Sequence, residues 1–234
     1  REVFTSVKDI TLVPVSNWLG EIAKESYLNA CDVEVIHNGI DINTFVPYTE
    51  NQLKAQYNIS TDKRIVLGVA SPWGKRKGFD DFISLSKLLP QDKYQVVLIG
   101  LSDKLRQLLP DGVIGLLRTG SVEELAQWYS AAGVFVNLTY EDSYPTTNLE
   151  AISCGTPVVT YKTGGSPEAL TSTTGRVVAK GDVEAIAKAI IDLCAEDRDA
   201  MRERCRDHAE AHFDKRDCFA KYIALYEKLI NKSK

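Results

Sequence analysis

Six short runs of Val, Ile and Leu punctuate the chain, at residues 65–70, 95–100, 113–117, 134–138, 157–160 and 176–179. They are continuous rather than alternating, the pattern of strands covered on both faces. Between them, residues 79–89, 122–131, 147–153 and 183–194 carry apolar side chains at helical spacing. Ser121-Val122-Glu123-Glu124 and Thr147-Asn148-Leu149-Glu150 have the S/T-x-x-E form of a capping box, and Asp182 precedes the helix at 183. This alternation predicts right-handed βαβ crossovers. The expected fold class is therefore α/β: a Rossmann-like three-layer α/β/α domain with a mostly parallel, six-stranded sheet.

The flanks follow a different pattern. Residues 10–15 and 33–37 read as strands around a helix that starts at Ser16 and runs through 27, and they resemble the tail of another unit. The turn dipeptide Asn38-Gly39 then separates them from the regular series. From Asp199 onward the chain is highly charged, with an apolar stripe of Phe219, Tyr222, Ile223, Tyr226, Leu229 and Ile230 that predicts an amphipathic helix. The expected division is 1–40, 41–216 and 217–234.

Composition narrows the function classes. With 234 residues, 44% hydrophobic and 26% charged, the chain has the profile of an ordinary globular protein, not a disordered or collagen-like one. Its 28 basic and 32 acidic residues, net −4, give no global attraction to nucleic acid or an anionic bilayer, so any anion site must be local. Five cysteines without C-x-x-C spacing argue against a disulfide framework and a zinc site, and fit a reducing compartment. No window approaches the ~18 apolar residues of a spanning helix, so a cytoplasmic protein is expected.

In an open parallel sheet, ligands bind where loops leave the carboxyl ends of strands and enter helix N-termini, whose free N–H groups attract anions. Three loops hold that place. The first, Ser71-Pro72-Trp73-Gly74-Lys75-Arg76-Lys77-Gly78, sets three cations before a helix. It is not a Walker A loop, because the glycine spacing is one residue too long and Arg76 stands where Ser or Thr is required. The second, residues 139–147, concentrates Glu141, Asp142, Ser143, Tyr144, Thr146 and Thr147 at the start of a helix carrying Asn148 and Glu150. There Glu141 or Asp142 could bond sugar hydroxyls, and the Thr147 and Asn148 N–H groups could hold a phosphate. Glu150 could grip a ribose diol or merely close the capping box with Thr147. The third, Lys162 to Glu168, contains Gly164-Gly165, which let backbone come close to a ligand, and enters a helix at Pro167. No G-x-G-x-x-G follows any strand, which argues against a nicotinamide enzyme.

The run Val35-Ile36-His37-Asn38-Gly39-Ile40-Asp41 with Phe45 and Pro47, the Arg76-Lys77-Gly78 step, residues 125–136, and Asn148 to Val159 with Gly164-Gly165-Ser166-Pro167-Glu168 together resemble the C-terminal half of a family 4 glycosyltransferase. The resemblance implies one half of a GT-B fold, in which residues 1–40 are the remnant of an N-terminal acceptor domain and residues 41–216 bind a nucleotide-diphosphate sugar. It implies retention of anomeric configuration and no metal or other cofactor. It assigns Asp142, with Glu141 adjacent, to the donor sugar and a catalytic role, Glu150 to the ribose, and Lys77 to the donor phosphates. Lys75, Arg76, Ser143, Tyr144, Thr146, Thr147, Asn148, Gly164 and Gly165 complete the donor site, and Arg118 with Thr119 would hold the base.

Two departures stand out: Ser71 to Trp73 occupy the stretch where the family has a phosphate-binding arginine, and Pro145 stands where a glycine usually faces the sugar. The Glu-Asp-x-aromatic-Pro-Thr variant resembles a branch that makes bacterial surface polysaccharides. A glycan or lipid-linked acceptor and peripheral contact with the inner membrane face in the full-length enzyme follow from that resemblance. None of the histidines replaces the catalytic one of the N-terminal domain, and His208 with His212 has metal-compatible spacing without a third ligand. The rival expectations are a stand-alone nucleotide-binding or interaction module, and a GT-B nucleotide-sugar epimerase, which would need an acid/base pair not evident in the sequence.

Overall fold

The computed structural model describes residues 7, 9–49 and 52–232. Two short strands, β1 (Thr11–Leu12) and β2 (Asp32–Val33), pair in parallel around helix α1 (Asn17–Glu25). A single-turn helix, α2 (Leu53–Gln56), precedes the alternating series β3 (Arg64–Val69), α3 (Phe79–Leu88), β4 (Tyr94–Ile99), α4 (Asp103–Arg106), β5 (Ile114–Leu116), α5 (Val122–Ala131), β6 (Ala132–Asn137), α6 (Thr146–Ser153), β7 (Val158–Tyr161), β8 (Gly175–Val178) and α7 (Val183–Ala195). Helices α8 (Arg198–His212) and α9 (Lys215–Lys232) follow. Strands β3 to β8 form one parallel sheet in the order β5-β4-β3-β6-β7-β8. The chain winds outward one way from β3 and the other way from β6. Their two loops therefore diverge and open a crevice at the carboxyl rim.

Helices cover both faces. Helices α3 and α7 pack on one side, and α6 packs against α5 and α8 on the other. Ile65, Val66, Leu67, Val134 and Phe135 on the two central strands are buried, as are Phe82 and Leu85 of α3 and Trp128 and Tyr129 of α5. Gly68 sets the spacing of one layer. A Cβ there would lie 2.7 Å from Phe82 Cζ and 2.9 Å from Leu98 Cδ2, so the missing side chain lets α3 close onto β3.

Several local expectations need correction. The N-terminal strands shrink to two residues each. Their ladder continues only as one-sided bonds, from Glu34 N to Leu12 O (3.0 Å) and Ile36 N to Pro14 O (3.1 Å), because proline has no N–H to return. Helix α6 begins at Thr146 behind Pro145, so Thr147 is inside the helix and Glu150 closes no capping box with it. Ser121 does cap its helix, accepting from Glu124 N at 3.1 Å, but the Glu124 carboxylate accepts from Gly120 N rather than from the cap residue. Asp182 caps α7 through Ala185 N (2.9 Å).

The charged C-terminal stretch is two helices, not one. Ile40 inserts between them, donating to Phe213 O (2.8 Å) and accepting from Lys215 N (3.0 Å). The expected boundary at 216/217 consequently falls inside α9. The apolar stripe also faces the other way from a core-packing stripe: Cys218 and Leu225 point inward, whereas Phe219, Ile223, Tyr226 and Ile230 are exposed. No helix among the described residues is long and apolar enough to cross a membrane.

Replacing Gly68 by Val is expected to cost about 1–3 kcal/mol, because the added carbons meet the Phe82 ring and Leu98 in a packed interior. Urea unfolding measures this as a lower midpoint at unchanged slope. An unchanged midpoint would show that α3 does not close onto β3 as described.

Candidate functional site

The basic turn is fastened to the neighbouring loop. Residues Lys75–Lys77 form one 3-10 turn that ends at Gly78 with φ 71°. A Cβ on Gly78 would stand 2.3 Å from Leu138 O, so only glycine lets the turn lie on the exit of β6. Arg76 O then accepts from Tyr140 N (2.8 Å) and Thr139 Oγ1 (3.3 Å). Lys75 and Arg76 remain exposed. Lys77 turns inward, and its ammonium donates to Asp142 Oδ2 at 2.6 Å, with the two side chains 23% and 19% exposed. At that burial the pair is screened far less than a surface ion pair.

The third loop closes on the second. Gly164 has φ 52°, and a Cβ there would lie 2.0 Å from Asp142 O. Gly165 meets Ser143 O in the same way, and its N–H donates to Asp142 O at 3.1 Å. Thr163 Oγ1 donates to Thr139 O (2.9 Å). The glycines were expected to admit a ligand to the backbone; instead they admit the 142–143 backbone itself. All three loops are thus joined by hydrogen bonds at one rim of the sheet.

The first two, with the ends of β3 and β6, line a cavity of about 260 Å³, and the third backs the second from outside it. Of the residues proposed from sequence, Lys77, Asp142, Tyr144, Thr146 and Thr147 line it. Lys75, Arg76, Glu141 and Ser143 are exposed beside it, and Gly164 and Gly165 stand behind Asp142 and Ser143. Arg118 and Thr119 follow the end of β5, two strands from β3 and off the cavity wall.

Asn148 is fully buried. Its N–H donates to Pro145 O (3.1 Å), and its side-chain amide accepts from Asn137 (2.9 Å) and donates to Ser166 O and Oγ (both 3.1 Å). It ties strand β6 to the third loop and has no amide free for a phosphate. The segment around Pro167 is a four-residue 3-10 turn, Ser166–Ala169, not the regular helix expected there.

Glu150 sits one turn behind the cavity wall and does not line it. Its carboxylate accepts from the Tyr129 hydroxyl at 2.9 Å. Burial pushes its pKa up, while hydrogen bonds from Tyr129 and Thr146 pull it down less strongly. Tyr129 is fully buried and held well above its usual value by desolvation and by Glu150, so the phenol stays a donor. Sequence reasoning gave Trp73 and Asn137 no role, yet both line the cavity. Trp73 is fixed by a 2.8 Å bond from its indole N–H to Ile99 O and by edge contact with Phe82. A tryptophan in the loop after the first sheet strand was the available signal.

The N-terminal segment is latched to this rim by Glu168. One carboxylate oxygen accepts from Trp18 N (2.8 Å), and the other from Asn17 N (2.8 Å) and His37 Nε2 (2.8 Å). An anion is thereby placed at the start of α1, where the helix dipole favours it. His37 also lies against the Tyr144 ring, with centroids 4.8 Å apart. Burial raises the Glu168 pKa, but the bonds from His37, Trp18 and Asn17 outweigh it and hold the carboxyl below its usual range. His208 contacts Ala169 O at 3.2 Å, and no metal-holding cluster occurs among the described residues.

A parallel sheet with joined loops at its switch point defines the doubly wound class of nucleotide-binding domains. Residues 63–196 match the family model described as Glycosyl transferases group 1, more than half of the chain, and the chain belongs to this family. It is similar to N-acetyl-alpha-D-glucosaminyl L-malate synthase of Bacillus anthracis, 23% identical over 215 residues covering 87% of this chain and 55% of that protein. Sucrose-phosphate synthase from Thermosynechococcus elongatus superimposes with a TM-score of 0.83 at 26% identity, covering 95% of this chain and 59% of that one. Anabaena HepE in complex with UDP-glucose shares the fold, with a TM-score of 0.76, 19% identity and coverage of 92% and 63%. The chain spans a little over half the length of these relatives.

A carboxyl held low in the fold adds stability above its ordinary pKa and loses that contribution as pH falls through the folded value. Glu168→Gln is therefore expected to be about 1 kcal/mol less stable than the unaltered chain at neutral pH, with the gap closing as pH falls through the lowered folded value. Thermal melts at stepped pH measure it. A gap that persists at low pH would place the stabilisation elsewhere.

Proposed function

We propose that this chain is the donor-binding half of a retaining glycosyltransferase that takes its sugar from a nucleoside-diphosphate donor. The reading is supported by the family, and the observation that carries it is one rim cavity between two loops, the second braced by the third, with Lys77 and Asp142 paired inside. A solved neighbour binds UDP-glucose, the same class of ligand.

Lys77 supplies positive charge to a departing diphosphate, an electrostatic contribution, and the family resemblance implies that no metal is needed beside it. Asp142, with Glu141 on the same loop, accepts from hydroxyls of the donor sugar, and the first turn of α6 at Thr146 and Thr147 completes the phosphate cradle. The family resemblance assigns Glu150 to the ribose, a role that requires its carboxylate to leave Tyr129 and turn toward the cavity that it does not line in this structure. The base extends along the rim toward Arg118 and Thr119 at the end of β5. The acceptor, a glycan or a lipid-linked sugar of polysaccharide assembly, is bound by the part of the enzyme beyond this chain. The protein works in the cytoplasm, against the membrane face where such acceptors lie.

In this reading Asp142 and the diphosphate compete for one ammonium. Calorimetric titration with uridine and guanosine diphosphates is expected to show binding of at least one, with Lys77→Met weakening it by about tenfold or more. Absence of binding of both at millimolar concentration, or an unchanged affinity in the variant, would contradict it. Asp142→Asn is expected to tighten binding of the bare nucleoside diphosphate several-fold by releasing Lys77, and weaker binding would show that the two do not compete.

A further inference from the structure

A second cavity, of about 290 Å³, lies at the opposite rim. Its walls come from α2, the C-terminal end of α5 and the first turns of α8, next to the amino ends of β3 and β6, whereas the donor cavity sits at their carboxyl ends. Lys54, Arg198 and Arg202 face it, with Tyr48 and Thr61 alongside. Among the described residues no carboxylate forms an ion pair with these three cations or with nearby Arg64. Asp62 and Asp199 act on Lys54 and Arg198 only at a distance.

The arrangement works against its own electrostatics. Arg198 and Arg202 are four residues apart on one helix face, where like charges repel, and they occupy the helix end at which the dipole disfavours cations. Desolvation and the neighbouring guanidinium groups of Arg198 and Arg64 both hold the Lys54 pKa down. A structural duty accounts for part of this. Arg198 donates one nitrogen to Ser130 O (3.2 Å) and Ala131 O (3.4 Å), and Arg202 donates one to Ser130 O (3.0 Å), which closes the last carbonyls of α5. Lys54 spends two donors on Thr61 O and Lys63 O (both 2.7 Å). The remaining donors, including one on the ammonium and those on the other guanidinium nitrogens, have no acceptor among the described residues. A phosphoryl group has the oxygens and the charge to satisfy them.

We propose that the cavity bounded by Lys54, Arg198 and Arg202 is a binding site for a small phosphoryl-bearing anion, separate from the donor site. Three cations converging on one small cavity suit a single phosphoryl group, as in inorganic phosphate or a sugar monophosphate.

The test is calorimetric titration of the whole chain with inorganic phosphate and with glucose 1-phosphate as separate arms, each repeated in a Lys77→Met background that disables the other anion site. Binding of at least one is expected to survive Lys77→Met within about twofold. It is expected to weaken by about tenfold with Arg198→Gln and again with Lys54→Gln. The tighter arm decides between the free ion and the phosphorylated sugar. Lys54→Gln leaves the α5 carbonyls covered and serves if Arg198→Gln fails to fold. The proposal is overturned if neither anion binds at millimolar concentration, if binding disappears with Lys77→Met, or if Arg198→Gln and Lys54→Gln lower the melting temperature and leave the affinity unchanged.

Discussion

The ion pair between Lys77 and Asp142 is what the carboxyl rim of the sheet is organised around. Each partner sits on a different loop. The lysine is carried by a turn that can approach β6 only because Gly78 lacks a side chain, and the aspartate by a loop whose backbone is pressed from behind by Gly164 and Gly165. A cation held by one carboxylate in a half-buried cavity is a ready receptor for a stronger anion. Exchanging one carboxylate for a diphosphate replaces a single charge by two or more while conserving the hydrogen bond.

The surrounding contacts fix the rim from several sides. Asn148 stitches β6 to the third loop, Trp73 is pinned to β4, and Glu168 binds the start of α1 and His37 to the same loop cluster. Preorganised groups of this kind need little reorganisation when charge develops beside them. The latch also gives the N-terminal segment a defined seat against the site, with Tyr144 shared between the cavity wall and the His37 ring.

Much of this was legible in the sequence. Continuous apolar runs gave the central strands almost to the residue, because strands buried on both faces leave no room for polar alternation. Asp142 and the basic turn 75–77 stood out as charges in loops after such strands, and the family resemblance singled out Lys77 among the three cations. The departures have specific causes. Pro145 moved the start of α6 forward, so that Thr147 and Glu150 lost their capping relation and Glu150 became the partner of Tyr129, a contact 21 residues distant that no local pattern encodes. Gly164 and Gly165 were read as open toward a ligand because sequence cannot say whose backbone approaches. The same limit hid Arg198 and Arg202, which become a cluster only when α8 folds beside α2. In α9 the stripe was visible, but its facing depended on where Ile40 entered.

The two rims of the sheet therefore carry positive charge for different reasons. At the carboxyl rim the Lys77 ammonium is paired with Asp142, and at the amino rim Lys54, Arg198 and Arg202 have no carboxylate partner among the described residues and stand at the start of a helix. The most direct measurement is a crystal structure of the chain with a nucleoside diphosphate. A diphosphate oxygen within hydrogen-bonding distance of Lys77 Nζ, with Asp142 displaced from the ammonium, is the expected result. A nucleotide bound away from the cavity between the 71–78 and 139–147 loops, or one that leaves the Lys77–Asp142 pair intact, would contradict it.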